Sequence, residues 1–246
     1  MFDDYAFDVR GFVLVRGALA PDEIARARQA VESDGSDLTW LARTSAVASR
    51  VGELCTGMQR GGIPPLEPQL ACPPRLLTDE GPCFRGGGAQ HERSVAYLHR
   101  GGVRSVCAVR AVWALDDAGS SGSVTLVPAS HRAALDAPEP LLSGEDDLAC
   151  FGESLYHRPE LQSGDLLLFS SALLHSVRAG ADQRLVGAEF VNGWVSLSGE
   201  RADRATSRPW EGSVSPELRA LLLFDEHEDS PAPLPSVLSD GKSLWL

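Results

Sequence analysis

Two rhythms of apolar spacing divide the chain. Near the amino terminus Phe12-Val13-Leu14-Val15, set between Gly11 and Gly17, is a short apolar run with glycine stops and predicts a strand. The spacing then lengthens to three and four residues at Ile24, Ala27 and Val31, behind Pro21-Asp22-Glu23. That pattern predicts a helix with Arg26 and Arg28 on its wet face. A second helix is expected somewhere within Leu38 to Leu54, burying Leu41, Val47, Val51 and Leu54. Gly61-Gly62, Pro64-Pro65, Pro68 and Pro73-Pro74 predict mostly loop from residue 59 to 75.

From about Leu76 the rhythm shortens to strands separated by turn residues. Val95 to Leu98 precedes the break at Gly101-Gly102, and Ser105 to Leu115, SVCAVRAVWAL, reads as the best central strand. Val124 to Val127 is the next strand, stopped by Pro128. Ala133 to Glu160, with its prolines and acids, reads as an insertion of the kind that covers a site. Gly164-Asp165 is a turn, and Leu166 to Phe169 a strand apolar enough to be covered on both faces. A last strand starts at Arg184, where Arg184, Val186, Ala188, Phe190 and Asn192 share one face by the period of two. Beyond Trp194 the chain turns polar, with one short helix expected near Pro216 to Leu223. Helices first and short strands afterwards predict a mainly β, α+β architecture with a barrel or sandwich core.

Composition narrows the field. The 246 residues, 43% of them hydrophobic, suit a single domain with a helical part over residues 18–58, a core over about 76–194 and a polar tail over 225–246. A net charge of −12 argues against nucleic acid or an anionic membrane as the main partner. Lys242 is the sole lysine and sits in the tail, which nearly excludes Schiff-base chemistry. The cysteines 55, 72, 83, 107 and 150 are odd in number, scattered and without a CxxC pair, so reduced thiols are expected. The segment MFDDYAFDVR lacks the apolar core of a signal peptide, and no apolar run approaches membrane-spanning length. A cytoplasmic location is the expectation.

Candidate chemistry concentrates between Gly164 and Trp194. His175 follows Ala172-Leu173-Leu174, and Arg184 lies nine residues later across a polar, glycine-containing reversal at Arg178 to Gln183. An imidazole beside a guanidinium fits a metal ligand next to an anion clamp, because the planar fork of arginine binds a carboxylate through two parallel hydrogen bonds. A solvated loop histidine and a surface arginine would produce the same two letters. Arg110 interrupts an otherwise apolar strand, so it either faces solvent or pairs with an acid, a substrate carboxylate included. Tyr97 and Trp113, on predicted strands, read first as core aromatics. His131 is expected to shape the turn after the strand at Val124; His157 and His227 are expected to be solvated.

With these segments in place the chain resembles the phytanoyl-CoA dioxygenase family of iron(II)/2-oxoglutarate oxygenases. The resemblance rests on GFVLVRGALAPDEIARARQAV, on Val112-Trp113-Ala114-Leu115-Asp116-Asp117 followed by Gly122 and Leu126-Val127-Pro128-Ala129-Ser130-His131-Arg132, on Gly164 to Phe169 with His175, and on Arg184. It spans roughly residues 8 to 194. It implies a double-stranded β-helix (jelly-roll) with the amino-terminal helices packed on one sheet. It also implies Fe(II) held by two histidines and a carboxylate in its mouth, 2-oxoglutarate as cosubstrate, and oxidation of a C–H bond of a small organic molecule. By the resemblance His175 is the distal ligand and Arg184 the clamp on 2-oxoglutarate, with Tyr97 and Trp113 as further contacts.

One departure stands out. FRGGGAQHERS occupies the place of the family's first ligand pair, histidine, any residue, then aspartate. His91 takes the histidine position and Arg93 the aspartate position. A guanidinium cannot ligate Fe²⁺. Glu92 is the candidate third ligand if the strand bulges there, and Arg93, Arg110 and Asn192 become pocket candidates. Two rival readings follow: a metal-free relative acting as a binding partner, and a halogenase-type variant in which His99-Arg100-Gly101 is the ligand triplet with chloride in the gap.

Overall fold

The computed structural model describes residues 2–33, 37–55, 68–78, 83–87, 97–100, 103–117, 124–133, 137–143, 155–178 and 183–191. Its frame is a five-stranded antiparallel sheet in the order β1 (Phe12–Val15), β7 (Leu166–Ser170), β5 (Ala108–Ala114), β9 (Leu185–Val191), β2 (Gln69–Leu76). Two smaller antiparallel pairs accompany it, β6 (Val124–Leu126) with β8 (His175–Val177), and β3 (Tyr97–Arg100) with β4 (Val103–Val106). The helices are α1 (Phe2–Arg10), α2 (Pro21–Glu32), α3 (Ser45–Leu54) and the short α4 (Glu139–Ser143). None among the described residues is long and apolar enough to cross a membrane.

Alternation along the central strands assigns each residue to one of two apolar layers. Val109, Ala111 and Trp113 of β5, Leu166 and Leu168 of β7, and Val186, Ala188 and Phe190 of β9 face the helices. There they meet Ala27 and Ala30 of α2 and Val47, Val51 and Leu54 of α3. The intervening residues Val112, Ala114, Leu167, Phe169 and Leu185 face inward onto Val124, Leu126 and Val177 of the small sheet. Since β5 and β7 are covered on both faces, Leu166 to Ser170 are buried without exception.

Leu41, Val47, Val51 and Leu54 are buried as the helical period requires, each contributing about 1.5–3 kcal/mol relative to exposure. The first of them lies in a 3-10 turn, Thr39–Arg43, that precedes α3. Arg26 stacks on Trp40 with its guanidinium carbon 4.4 Å from the ring centroid. Arg28, expected in water, instead donates Nε–H to the Leu115 carbonyl at 3.0 Å and an Nη2–H to Ser163 Oγ at 3.2 Å, tying α2 to the sheet.

The proline-rich stretch expected to be loop contributes an edge strand. β2 pairs with β9 through a register that shifts between Leu70 and Cys72 and again between Cys72 and Arg75, where Pro73 and Pro74 sit. Proline lacks the N–H a ladder needs and is tolerated at an edge and at a bulge, and this segment is both.

His131 is a structural residue, as the turn reading required. It lies in the 3-10 segment Ser130–Arg132, buried, with Nε2–H donating to the Asp8 carbonyl at 3.1 Å and its ring edge-on to Tyr97 at 4.4 Å. Nδ1 has no hydrogen-bond partner among the described residues, and burial pushes this imidazole down to about 4. A histidine depressed in the folded state is protonated first in the unfolded chain, so stability falls as pH drops from about 6.5 towards 4. Between pH 7 and 5 His131 is expected to cost about 2 kcal/mol. Urea unfolding of wild type and His131→Phe at the two pH values measures it: the variant should lose that much less than wild type over the interval.

Candidate active site

The site is built at a corner where the chain leaves one sheet for the other. After β7 it turns through residues 171 to 174 and enters β8 at His175. The corner is closed by Leu173 N–H on the Ser170 carbonyl (2.9 Å), Ser171 N–H on the Ala108 carbonyl (3.1 Å) and Leu174 N–H on Ser130 Oγ (2.7 Å). His175 and Arg85 then exchange both backbone hydrogen bonds at 2.8 Å. Next to Arg85, Gly86 adopts φ +87°, and a Cβ built there would stand 2.3 Å from the Leu173 carbonyl oxygen. Only glycine fits both demands.

That same carbonyl fixes the imidazole. His175 Nδ1 lies 2.7 Å from Leu173 O, so Nδ1 carries the proton and Nε2 the lone pair. Nε2 accepts an N–H from Arg110 Nη1 at 2.9 Å. The ring packs on Phe169 at 4.8 Å and is buried.

A transverse row crosses the inner face of the large sheet at this level. Register places Phe12 opposite Phe169, Phe169 opposite Arg110, Arg110 opposite Glu189, and Glu189 opposite Cys72. Ser171 Oγ–H donates to Glu189 Oε1 at 2.8 Å. His157 stacks on Phe12 at 5.2 Å, at the end of the row, and its backbone pairs with Leu126. The adjacent row, Leu14, Leu167, Val112 and Gly187, is apolar until it reaches the exposed Arg75 on the edge strand β2. An imidazole, a guanidinium, a carboxylate and a hydroxyl therefore lie together above an apolar floor, where charge interactions are weakly screened.

Arg184 is elsewhere. It does share a face with Val186, Ala188 and Phe190, but that face is covered by helices. Its guanidinium grips Asp116 through Nε (2.8 Å) and Nη2 (3.0 Å) and reaches Glu32 of α2 through Nη1 (2.7 Å). The Arg184 guanidinium holds the Asp116 carboxyl below its usual range. The expectation that Arg184 and His175 look into one cavity is thus corrected: a bidentate ion pair at the sheet edge occupies Arg184. Tyr97 and Trp113 are corrected with it. Both belong to the helix-side layer, Trp113 fully buried and Tyr97 with its hydroxyl on Asp8. Burial raises the Tyr97 hydroxyl above its ordinary range.

His91, Glu92, Arg93 and Asn192 lie outside the described residues, as does Gly101 of the His99 triplet. Among the described residues no three histidine, cysteine or carboxylate side chains converge as a metal site. His175 alone has the anchoring of a metal ligand: one ring nitrogen is held by a carbonyl, the arrangement that orients a ligating imidazole, while the other faces inward and accepts an N–H from Arg110. The sequence reading missed Glu189 and Ser171. Glu189 had a signal, being the single charged residue of β9 as Arg110 is of β5, on neighbouring strands.

The fold is shared with solved structures. HygX from Streptomyces hygroscopicus, with nickel and 2-oxoglutarate bound, is 21% identical over 79% of this chain and 87% of its own, with a TM-score of 0.63. The epimerase SnoN from nogalamycin biosynthesis, described as α-ketoglutarate dependent, is 16% identical over 78% and 82%, with a TM-score of 0.51. EvdO2 from Micromonospora carbonacea, complexed with 2-oxoglutarate, is 13% identical over 78% and 90%, also at 0.51. No protein-family model and no curated protein matches the sequence. Together with the antiparallel sheets described above, these likenesses establish a double-stranded β-helix core with helices on its outer face.

Proposed function

We propose that this chain is an Fe(II)- and 2-oxoglutarate-dependent oxygenase, of the phytanoyl-CoA dioxygenase type, that oxidises a C–H bond of a small organic molecule. One observation carries the reading: a buried imidazole at the corner between the two sheets, with Nδ1 fixed by the Leu173 carbonyl and Nε2 turned to the inner face beside Arg110. The fold neighbours support it, because their structures are described with iron, nickel or 2-oxoglutarate, and one HygX structure also with hygromycin B.

In this reading His175 and His91 supply nitrogen to the metal and Glu92 the carboxylate. Iron, when bound, supplies the activation of dioxygen that no side chain can provide. The protein's part is to fix the imidazole and to exclude water with the apolar floor of Leu167 and Val112.

The test is an anaerobic titration with Fe(II) and 2-oxoglutarate. The chelate should give its weak visible charge-transfer band, and aerobic samples should convert 2-oxoglutarate to succinate. A chain that shows neither is no oxygenase. The rival, a metal-free binding protein, is favoured by Arg93 at the expected carboxylate position, and the same titration decides between the two.

A further inference from the structure

We infer that Ser130 is a positioning residue for His175: its hydroxyl holds the Leu173–Leu174 peptide, and through that one peptide it sets the direction of the imidazole. This role rests on the proposed function of His175 as a metal ligand and adds to it a residue from the 3-10 turn after β6.

Register shows where the hydroxyl acts. β6 and β8 pair with Leu126 opposite His175, so the next pair along is Val127 with Leu174. There Val127 N–H donates to the Leu174 carbonyl at 2.9 Å. A hydrogen-bonded antiparallel pair exchanges two such bonds. In place of the second, Leu174 N–H donates to Ser130 Oγ at 2.7 Å, and Ser130 Oγ–H donates to the Val127 carbonyl at 2.7 Å. A hydroxyl is thus inserted into the ladder one residue before His175, working there as donor and acceptor at once.

A peptide unit is planar and trans, so its N–H and C=O point in opposite directions. Leu174 N–H and the Leu173 carbonyl are the two ends of one such unit. Fixing the first on Ser130 aims the second, and the Leu173 carbonyl is what receives His175 Nδ1–H at 2.7 Å. With that amide released, the peptide plane would be free to rotate and the carbonyl would lose its aim.

The turn that carries Ser130 is itself pinned. Ala129 N–H donates to the Arg10 carbonyl at 3.1 Å and His131 Nε2–H to the Asp8 carbonyl at 3.1 Å, both at the end of α1. Ala129 has φ +67° and is the one non-glycine residue with a positive φ among the described residues. A residue with a Cβ stays in that conformation only where its surroundings over-determine it. Ser130 follows directly and is presented from a fixed backbone.

The experiment compares wild type with Ser130→Ala and Ser130→Thr, reading imidazole N–H protons of the metal-free chains by ¹H–¹⁵N NMR and Ni²⁺ binding by titration calorimetry. Wild type should show a hydrogen-bonded Nδ1–H resonance that is absent from His175→Gln. In Ser130→Ala that resonance should be lost to exchange with water. Ni²⁺ should bind about 10-fold more weakly there, the lower end of what outer partners of a ligand contribute. Threonine keeps the hydroxyl, so Ser130→Thr should restore both. Ser163→Ala is the control: it removes a hydroxyl that donates to the Leu115 carbonyl at 2.8 Å and accepts from Arg28 of α2. Its urea midpoint should fall while resonance and affinity stay. An unmoved resonance or an unchanged Ni²⁺ affinity in Ser130→Ala overturns the proposal, as does a Ser130→Thr that behaves like Ser130→Ala. Loss of the resonance in Ser163→Ala also overturns it, because general loosening would then explain the effect.

If Ser130→Ala does not fold, hydrogen exchange in the wild type decides. An opening that frees Leu174 N–H should free His175 Nδ1–H too, so the imidazole proton should be no better protected than the amide. A freely exchanging Leu174 amide beside a protected Nδ1–H refutes the proposal. Absence of Ni²⁺ binding in wild type defeats the oxygenase reading and leaves the resonance to decide the part of Ser130.

Discussion

Replacing His175 by glutamine is expected to weaken Ni²⁺ and Fe(II) binding by more than about 100-fold, beyond what loss of an outer partner of a ligand costs. The charge-transfer band with 2-oxoglutarate should vanish with it. Glutamine is the informative substitute because its carbonyl oxygen can still accept the N–H of Arg110, now at 2.9 Å from Nε2. Alanine would instead remove the acceptor at that position along with the ring, and stability would fall for that reason as well. Calorimetric metal binding, read beside urea unfolding of the same sample, separates the two effects. Unchanged metal affinity in His175→Gln would remove His175 from the site.

Gly86→Ala is expected to damage both fold and site through one carbonyl. The backbone at Gly86 is left-handed, which costs a residue with a Cβ about 1–2 kcal/mol. The new methyl would also stand 2.3 Å from Leu173 O and 2.9 Å from Leu173 C, which are backbone atoms that cannot rotate away. The sum should be on the order of 3 kcal/mol, readable as a lower urea midpoint at unchanged slope. Because Leu173 O holds His175 Nδ1–H, the chain that does fold should bind Ni²⁺ more weakly, as loss of an outer partner of a ligand does, by about 10–100-fold. Gly17→Ala is the control: its φ of +58° is also left-handed, but a Cβ there meets nothing within 4 Å. It should show the conformational cost without the loss of affinity.

Periodicity carried the fold a long way. The strand before Gly17, the helix from Pro21, the buried set Leu41, Val47, Val51 and Leu54, and the central position of β5 follow from spacing, whereas the single strand read over Ser105 to Leu115 is divided at Cys107, with β4 in a separate sheet. Period two also groups Arg184 correctly with Val186, Ala188 and Phe190. What it cannot supply is which side of a doubly covered sheet such a group faces, because both sides of β9 are apolar and the pattern has no sign. Hence the guanidinium was expected in the cavity and stands under α2. The reverse holds for Arg110, whose oddity in an apolar strand was plain while its partner was not. That partner, His175, is 65 residues away and meets it only through the corner between sheets. Pro73 and Pro74 misled for a local reason: proline argues against a strand interior, and the bulged edge that tolerates it is a tertiary feature. The first ligand pair, carried by resemblance onto His91 to Arg93, lies outside the described residues.

The same two prolines bear on how this molecule behaves in company. Among the described residues the large sheet ends at β2, and an unfinished border of peptide groups is an invitation to a second chain. Pro73 and Pro74 carry no N–H, so an incoming strand could not find a donor at every position along this border. Changing both to threonine would restore the donors and open a route to sideways growth of the sheet into filaments.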